Sequence, residues 1–152
     1  MSAHRGVPPR LRGESFLDNL AGLRDSVDGD RIARAWHALT DVQDWTGPLV
    51  WCHGDLHPFN LLVDNGRLSV VLDWGDFHAA EPAPDLAVAW LLLPLSEHPR
   101  FREACGRLDD GTWQRGKAWG LYLAVMFVSA GRAGAGRDAT LLGREALRRI
   151  LG

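Results

Sequence analysis

The sequence is poor in cysteine and contains no long hydrophobic run. Its two cysteines, Cys52 and Cys105, are too few for a disulfide framework, which favours a reducing, cytoplasmic location over secretion. The longest uncharged stretch, between Lys117 and Arg132, is shorter than the roughly 18 residues that a membrane span needs. Residues 1–15 hold no apolar run, so no signal peptide is expected. These shortages argue against a membrane protein and against a secreted disulfide-bonded one.

The chain also has little net charge and almost no lysine. Its 152 residues carry a formal charge of −2, so no basic footprint for nucleic acid is present overall. Of its 17 basic residues, only Lys117 is a lysine. A hydrophobic content of 46% is ample for a packed core, and the length suits one domain. We therefore predict a single globular domain over residues 1–152.

The hydrophobic pattern predicts helices at both ends of the chain and strands between them. After an irregular lead-in at 1–13, apolar residues at spacings of three and four predict helices within residues 14–46. Short apolar runs at 49–52, 60–63 and 68–72 predict three strands, and residues from Trp74 to Pro84 are predicted to form a loop. Residues 86–152 are predicted to form a helical bundle, with separate helices expected at 86–93, 97–108, 109–130 and 137–151.

The second and third strands are predicted to form a β-hairpin. Asn65 and Gly66 lie between them, and Asn-Gly favours the positive φ angles of a tight hairpin turn. Asn60 begins the second strand and Asp73 follows the third, so the hairpin should bring these residues close together. Asp55, on the loop before the hairpin, should join them. Oxygen ligands of this kind suit Mg²⁺ completed by water and phosphate.

Residues 49–85 hold most of the polar chemistry. Within 53–85 six acids face a single arginine, and this local charge of −5 requires a metal ion or a cationic substrate to offset it. The six acids are Asp55, Asp64, Asp73, Asp76, Glu81 and Asp85. We therefore regard 49–85 as the catalytic and metal-binding segment.

The order of these residues resembles a known family. The run from His53 to Val63 reads His-Gly-Asp-Leu-His-Pro-Phe-Asn-Leu-Leu-Val, and Leu-Asp-Trp follows at Leu72. This wording is similar to that of the aminoglycoside phosphotransferase family, which shares the kinase-like fold. The resemblance implies an α+β, mostly helical chain that corresponds to the C-terminal lobe of a protein-kinase-like fold. It also implies an ATP-dependent transfer of phosphate to a small-molecule hydroxyl.

The resemblance assigns roles to particular residues. Asp55 would be the catalytic base, and Asn60 and Asp73 would hold the Mg²⁺ that bridges the ATP phosphates. His53 would orient the loop beside the bound cofactor, and Asp85 would be a structural partner of the loop. Trp74, Asp76 and Glu81 are candidates for contacting the substrate. That substrate could be an aminoglycoside, another antibiotic, or a choline-like or sugar-like alcohol, and it could be cationic.

The chain departs from the family pattern in two places. Ala80-Glu81-Pro82-Ala83 stands where the family usually has Gly-Asp-Pro-Ala, and Phe59 stands where Gly is common. In addition, only 52 residues precede His53, and they include neither a glycine-rich phosphate loop nor a lysine. The chain therefore resembles the second half of a family member. We expect weak or no ATP binding and no turnover from this chain alone, and self-association through an exposed lobe boundary.

Three other interpretations of the same residues remain open. His53, His57 and Cys52 could bind zinc, although Gly54 and Pro58 prevent the helix that would pair the two histidines. The acids could serve a metal-dependent phosphohydrolase. The chain could also be a non-catalytic, truncated kinase-like remnant or a binding module.

Overall fold

The structure is a computed structural model that describes residues 7–106 and 108–152. It shows two N-terminal helices, a central pair of small sheets and a set of C-terminal helices. The helices are α1 (Gly13–Ala21), α2 (Gly29–Thr40), α3 (Ala83–Leu86), α4 (Val88–Leu92), α5 (His98–Ala104), α6 (Asp110–Ala130) and α7 (Arg137–Leu151). The strands are β1 (Val50–Cys52), β2 (Leu61–Asp64), β3 (Arg67–Val71) and β4 (His78–Ala80). The predicted α+β, mostly helical class is confirmed.

Helix α6 forms the centre of the core. It is apolar on most of its faces, and it packs against α1, α2, α3 and α7. Two glycines mark the closest helix contacts. A Cβ atom on Gly143 of α7 would lie 2.5 Å from the carbonyl oxygen of Ala124, and one on Gly116 would lie 2.8 Å from the Cβ of Leu86. These approaches hold α3 and α7 directly against α6.

Aspartate side chains cap the N-termini of two of the helices. The Asp28 side chain accepts a hydrogen bond from the backbone N–H of Arg31 at the start of α2. Asp109 does the same for Thr112 at the start of α6. The helix predicted at 97–108 was too long, since α5 spans only His98–Ala104. The helix predicted at 86–93 is divided at Ala87 into α3 and α4.

The predicted hairpin is confirmed. Strands β2 and β3 are antiparallel, with Leu61 opposite Val71. Asn65 has φ 49° and Gly66 has φ 76°, so both turn residues adopt the positive φ that Asn-Gly permits. Asn60 therefore lies at the open end of the hairpin, next to the residues that lead to Asp73.

The loop predicted between Trp74 and Pro84 was wrong in part. His78–Ala80 forms β4, which is antiparallel to β1 with Cys52 opposite His78. Strand β1 needs a hydrogen-bonding partner, and β4 supplies one although its residues have little intrinsic strand preference. This pairing brings the segment after β4, which carries Glu81 and Asp85, alongside the loop that follows β1.

Short irregular helical turns lie before α1 and after α6. Of the lead-in predicted at 1–13, residues 1–6 lie outside the described part, and Pro9–Arg12 forms one turn of 3₁₀-helix. The glycine-rich break after α6 is a single π-helical turn, Gly131–Ala135, which contains Gly134 at φ 109°. Within the described ranges, no helix has both the length and the apolar character that spanning a bilayer demands.

Candidate active site

The loop after β1 is fixed by the carboxylate of Asp85. The backbone N–H of His53 donates to Asp85 Oδ2 at 2.7 Å, and that of Gly54 donates to Asp85 Oδ1 at 2.9 Å. Hydrogen bonds to an ionised carboxylate are stronger than neutral ones, so this pair of bonds is a firm anchor. It ties α3 to the loop, which is the structural contact expected of Asp85.

Gly54 has a backbone that no other residue fits. Its φ is +82°, and a Cβ there would lie 2.7 Å from the carbonyl oxygen of Asp76. The ring of His78 would also be within 3.1 Å of that Cβ. The missing side chain therefore lets the Asp76–His78 segment pass directly over the start of the loop.

His53 connects the loop to the end of the hairpin. Its Nε2 lies 2.8 Å from the Leu72 carbonyl oxygen, and the Asp55 N–H donates to its Nδ1 at 3.2 Å. These contacts assign the neutral ring with the proton on Nε2. The side chain is buried and both of its nitrogens contact the backbone, as expected of a residue that orients the loop. Its place beside a bound cofactor stays a prediction.

Asn60 joins the same hydrogen-bonded unit from the other side. Its Nδ2 donates to the Asp55 backbone carbonyl oxygen at 2.9 Å. The backbone carbonyl oxygen of Asn60 accepts a hydrogen bond from the Leu72 N–H at 2.8 Å. Leu72 is therefore bonded to both His53 and Asn60, and the next residue is Asp73. The backbone segments that carry Asp55, Asn60 and Asp73 are thus held together by direct hydrogen bonds.

Asp73 is exposed and has an unusual backbone. It adopts the left-handed conformation, with φ 57° and ψ 65°, before the 3₁₀ turn Trp74–Asp76. Aspartate is one of the few non-glycine residues that enter this region at modest cost. The turn directs the chain away from β3 immediately after Leu72 and leaves the Asp73 side chain accessible to solvent.

The donors of Asn60 and Asp73 suit Mg²⁺. Because the Asn60 Nδ2 donates to the Asp55 carbonyl, the Asn60 Oδ1 is the side-chain atom that could coordinate an ion. Asp73 could contribute carboxylate oxygens. One carboxylate and one amide oxygen, completed by water and phosphate, form a normal Mg²⁺ environment.

The zinc interpretation has less support. No group of three or more His, Cys, Asp or Glu side chains suited to a metal is found in the described ranges. Burial also raises the pKa of the Cys52 thiol to about 11, which opposes the thiolate that zinc needs.

His57 is a site residue that the sequence analysis considered only as a zinc ligand. Its Nε2 lies 3.3 Å from Asp55 Oδ1, and both side chains are largely buried. Phe127 of α6 meets the His57 ring edge-on, with the centroids 5.3 Å apart, and Phe59 contacts both rings. The signal was a histidine two residues after the aspartate, but its orientation depends on α6, which is distant in the sequence.

Glu81 corrects another expectation. Its side chain is 4% exposed and receives a hydrogen bond from the Arg115 Nε at 2.7 Å, so it does not face a substrate. Burial raises the pKa of Glu81 by more than the hydrogen bond from Arg115 lowers it. Glu81 therefore links the end of β4 to α6.

The two other substrate candidates lie near the loop but have no demonstrated ligand role. Trp74 is 54% exposed, donates from its Nε1 to the Val71 carbonyl at 2.9 Å, and packs on the edge of His53. The Asp76 carbonyl oxygen is 2.6 Å from the His78 Nδ1, while the residue itself is half-buried. Both stay predictions as substrate contacts.

An apolar surface adjoins the loop. Trp51 is 72% exposed and stacks on Phe77 with a centroid distance of 5.0 Å, and Trp74 contacts Phe77 from the side. Most residues of the β2–β3 hairpin are exposed as well. Exposed apolar side chains that pack on one another in this way mark a surface of interaction.

Known proteins resemble this chain in sequence and in fold. The phosphotransferase enzyme family matches residues 3–119. Over 112 residues, which are 69% of this chain, it is 33% identical to the uncharacterized protein YcbJ of Bacillus subtilis (strain 168). Over 91 residues, 58% of this chain, it is 36% identical to an aminoglycoside 3'-phosphotransferase of Streptomyces fradiae. A solved macrolide 2'-phosphotransferase type I covers 94% of the chain with a TM-score of 0.52 and 21% identity, which indicates a shared fold.

The chain spans only part of each of these proteins. It matches 37% of the Bacillus protein, 32% of the Streptomyces enzyme and 49% of the macrolide phosphotransferase chain. The family match over residues 3–119 includes the Asp55 loop, the hairpin and Asp73, which are the residues that carry the resemblance in sequence. Because the family matches well over half of the chain, this protein belongs to the phosphotransferase enzyme family.

Proposed function

We propose that this chain provides the base and metal-binding side of an ATP-dependent small-molecule O-phosphotransferase site. The observation that carries the proposal is the hydrogen-bonded unit around Leu72. It holds the segments of Asp55, Asn60 and Asp73 together through bonds that involve His53 and Asn60. The family membership and the order of these residues support a role for this unit in phosphoryl transfer.

Asp55 is proposed as the general base. A substrate hydroxyl would attack the γ-phosphorus of ATP, forming one P–O bond while the bond to the β-phosphate oxygen breaks and ADP leaves. The hydroxyl proton would pass to the Asp55 carboxylate. His57, 3.3 Å from that carboxylate, holds it in place, and Asn60 fixes the backbone of the same residue. Positioning of this kind is the main contribution that a protein makes to phosphoryl transfer.

Asn60 and Asp73 are proposed as the Mg²⁺ ligands. When bound, the ion neutralises charge on the phosphates and aligns them with the acceptor. This chain's part is to present two oxygen donors from the open end of a rigid hairpin. Asp85 holds the loop in register by its bonds to His53 and Gly54.

The first test is metal binding, measured by NMR with paramagnetic Mn²⁺ in place of Mg²⁺. Mn²⁺ with ATP should broaden the amide signals of Asn60 and Asp73 in the 152-residue chain, and Asp73→Asn should remove the effect. Asp64→Asn, at the hairpin tip, changes an exposed carboxylate outside the site and should leave the broadening intact. Equal broadening in the Asp73 variant would refute the assigned ligand.

The second test concerns the base. The part of the Streptomyces aminoglycoside 3'-phosphotransferase that lies before its matched region is fused to the N-terminus of this chain. Phosphate transfer from labelled ATP to hydroxyl compounds is then measured. Asp55→Asn should lower turnover by about 10²–10⁴-fold and leave Mn·ATP binding unchanged, because it removes a base and not a ligand. Transfer that survives this substitution would refute the proposed role.

A second candidate function is a non-catalytic binding module. The single lysine, Lys117, lies within α6, where burial lowers its pKa and opposes the charged form that contacts phosphates. The two candidates give different results. A module would bind Mn·ATP or a partner without any transfer, in the chain alone and in the fusion.

A further inference from the structure

A cavity of about 420 Å³ opens beside Asp55 and is not explained by the metal site. It lies between the N-terminal turn and one face of α6, where the lining residues recur at spacings of three and four. Its volume is within the range of small-ligand pockets. The lining residues that matter here are Arg12, Asp55, His57, Trp119, Tyr122 and Phe127.

The lining of this cavity is aromatic and apolar. Trp119 and Tyr122 meet edge-on with a centroid distance of 5.6 Å, and Phe127 packs against His57. A wall of this kind favours a ligand with a flat or apolar body. Because His57 also contacts Asp55, a ligand seated on this wall would place its nearest groups at the proposed base.

The described lining of the cavity offers a polycationic ligand only one carboxylate. Among the described residues, Asp55 is the one carboxylate in the lining, and the proposed mechanism already uses it. Arg12 supplies a positive charge at the other side. Asp73 and Asp76 are absent from the lining, so the acids of the catalytic segment do not face this space.

Two hydrogen-bond donors at the cavity lack acceptors. The Nε of Arg12 and the Nε1 of Trp119 are covered from solvent, and neither has a hydrogen-bond partner within the described part of the chain. Native proteins rarely leave buried donors unsatisfied, so each such atom calls for an explanation. Both residues line the cavity, so a ligand's acceptor seated there would lie next to these donors.

We propose that this cavity is the acceptor subsite and that it takes an aromatic or apolar alcohol bearing a carboxylate or a similar anionic group. The assignment of the hydroxyl to Asp55 rests on the proposed function. The apolar body would lie on the α6 face, and the anion would reach Arg12 and Trp119. A polycationic amino sugar does not match this cavity.

The test compares three probes of one shape. They are a hydroxymethyl-naphthoate, its analogue with methyl in place of the carboxylate, and its analogue with aminomethyl in that place. Binding is followed by the indole N–H signal of Trp119 in ¹⁵N-labelled protein without nucleotide, and Trp119→Phe identifies the signal. We expect the carboxylate to bind about tenfold tighter than the aminomethyl probe, as a charge-assisted hydrogen bond allows.

Arginine variants decide the cause. Arg12→Met should abolish the preference for the carboxylate. Arg10→Met should preserve it, because Arg10 lies in the same turn but pairs with Asp44 on the surface. Equal or tighter binding of the aminomethyl probe, no response of Trp119 to any probe, or an unchanged preference in Arg12→Met would each overturn the proposal. The binding test contains no nucleotide, so its outcome does not depend on whether the chain transfers phosphate.

Discussion

The buried pair of Glu81 and Arg115 gives the sharpest prediction about stability. The two residues are 4% and 3% exposed, and the Arg115 Nε donates to Glu81 Oε2 at 2.7 Å. The same guanidinium also donates to the Gln43 carbonyl at 2.7 Å and to the Thr112 hydroxyl at 2.9 Å. Arg115 thereby joins α6 to the end of β4 and to the segment before β1.

Arg115→Met removes the cation and retains most of the side-chain volume. It leaves Glu81 buried without its partner, which typically costs about 3–5 kcal/mol of unfolding free energy. For a chain of this size we expect the melting temperature to fall by about 10 °C. The double substitution Glu81→Met with Arg115→Met should recover most of the loss, since apolar replacements of whole buried pairs are often neutral or stabilising.

The cost should depend on pH, with a definite sign. Burial already raises the pKa of Glu81, and Arg115 opposes that rise. Without Arg115 the pKa rises further, so the folded state binds a proton more readily than the unfolded state does. Stability of Arg115→Met should therefore increase as the pH falls, and its deficit against the parent should shrink between about pH 7 and about pH 5.

Urea unfolding followed by tryptophan fluorescence measures the unfolding free energy of the parent, Arg115→Met, the double variant and Glu81→Gln at about pH 7 and at about pH 5. Glu81→Gln is the matched control, because it keeps an acceptor for Arg115 and cannot titrate. The reasoning is refuted if Arg115→Met loses the same free energy at both pH values and the double variant is no more stable than the single one.

Three further predictions concern the loop and its surroundings. Gly54→Ala should cost more stability than Gly66→Ala, because both glycines have positive φ but only a Cβ at Gly54 meets a carbonyl; urea unfolding compares the two, and equal losses would contradict this. Asp85→Asn should weaken the loop anchor and speed amide hydrogen exchange at the loop by about tenfold or more, with little change elsewhere in the chain. Replacing Trp51 or Phe77 with Lys should reduce self-association in sedimentation velocity, and unchanged association would show that the stacked pair lies outside the contact.

Local signals made the hairpin predictable, and long-range pairing made β4 unpredictable. Asn65 and Gly66 specify their turn by themselves, whatever the rest of the chain does. His78–Ala80 has no β-branched residue, and it becomes a strand because β1 lies beside it. Its formation depends on a contact between residues almost thirty positions apart, which periodicity does not report.

The candidate site divides in the same way. The spacing of Asp55, Asn60 and Asp73 around a hairpin indicated their grouping from the sequence. The partners of His57 and Glu81 lie on other elements, and only the fold reveals them. A charged residue at a core-facing position of α6 could have indicated a buried partner for Glu81, but it could not have selected which acid.

The acidity of the catalytic segment has a different meaning in the folded chain. The sequence charge of −5 called for either a metal or a cationic substrate. Asp85 is used by two backbone N–H groups, and Glu81 is neutralised by Arg115. Asp64 lies opposite Arg67 at the tip of the hairpin, away from the loop. Asp55, Asp73 and Asp76 are the acids that remain at the loop. The charge of the segment therefore no longer calls by itself for a cationic acceptor, in agreement with a cavity beside Asp55 whose other charged lining residue, among those described, is Arg12.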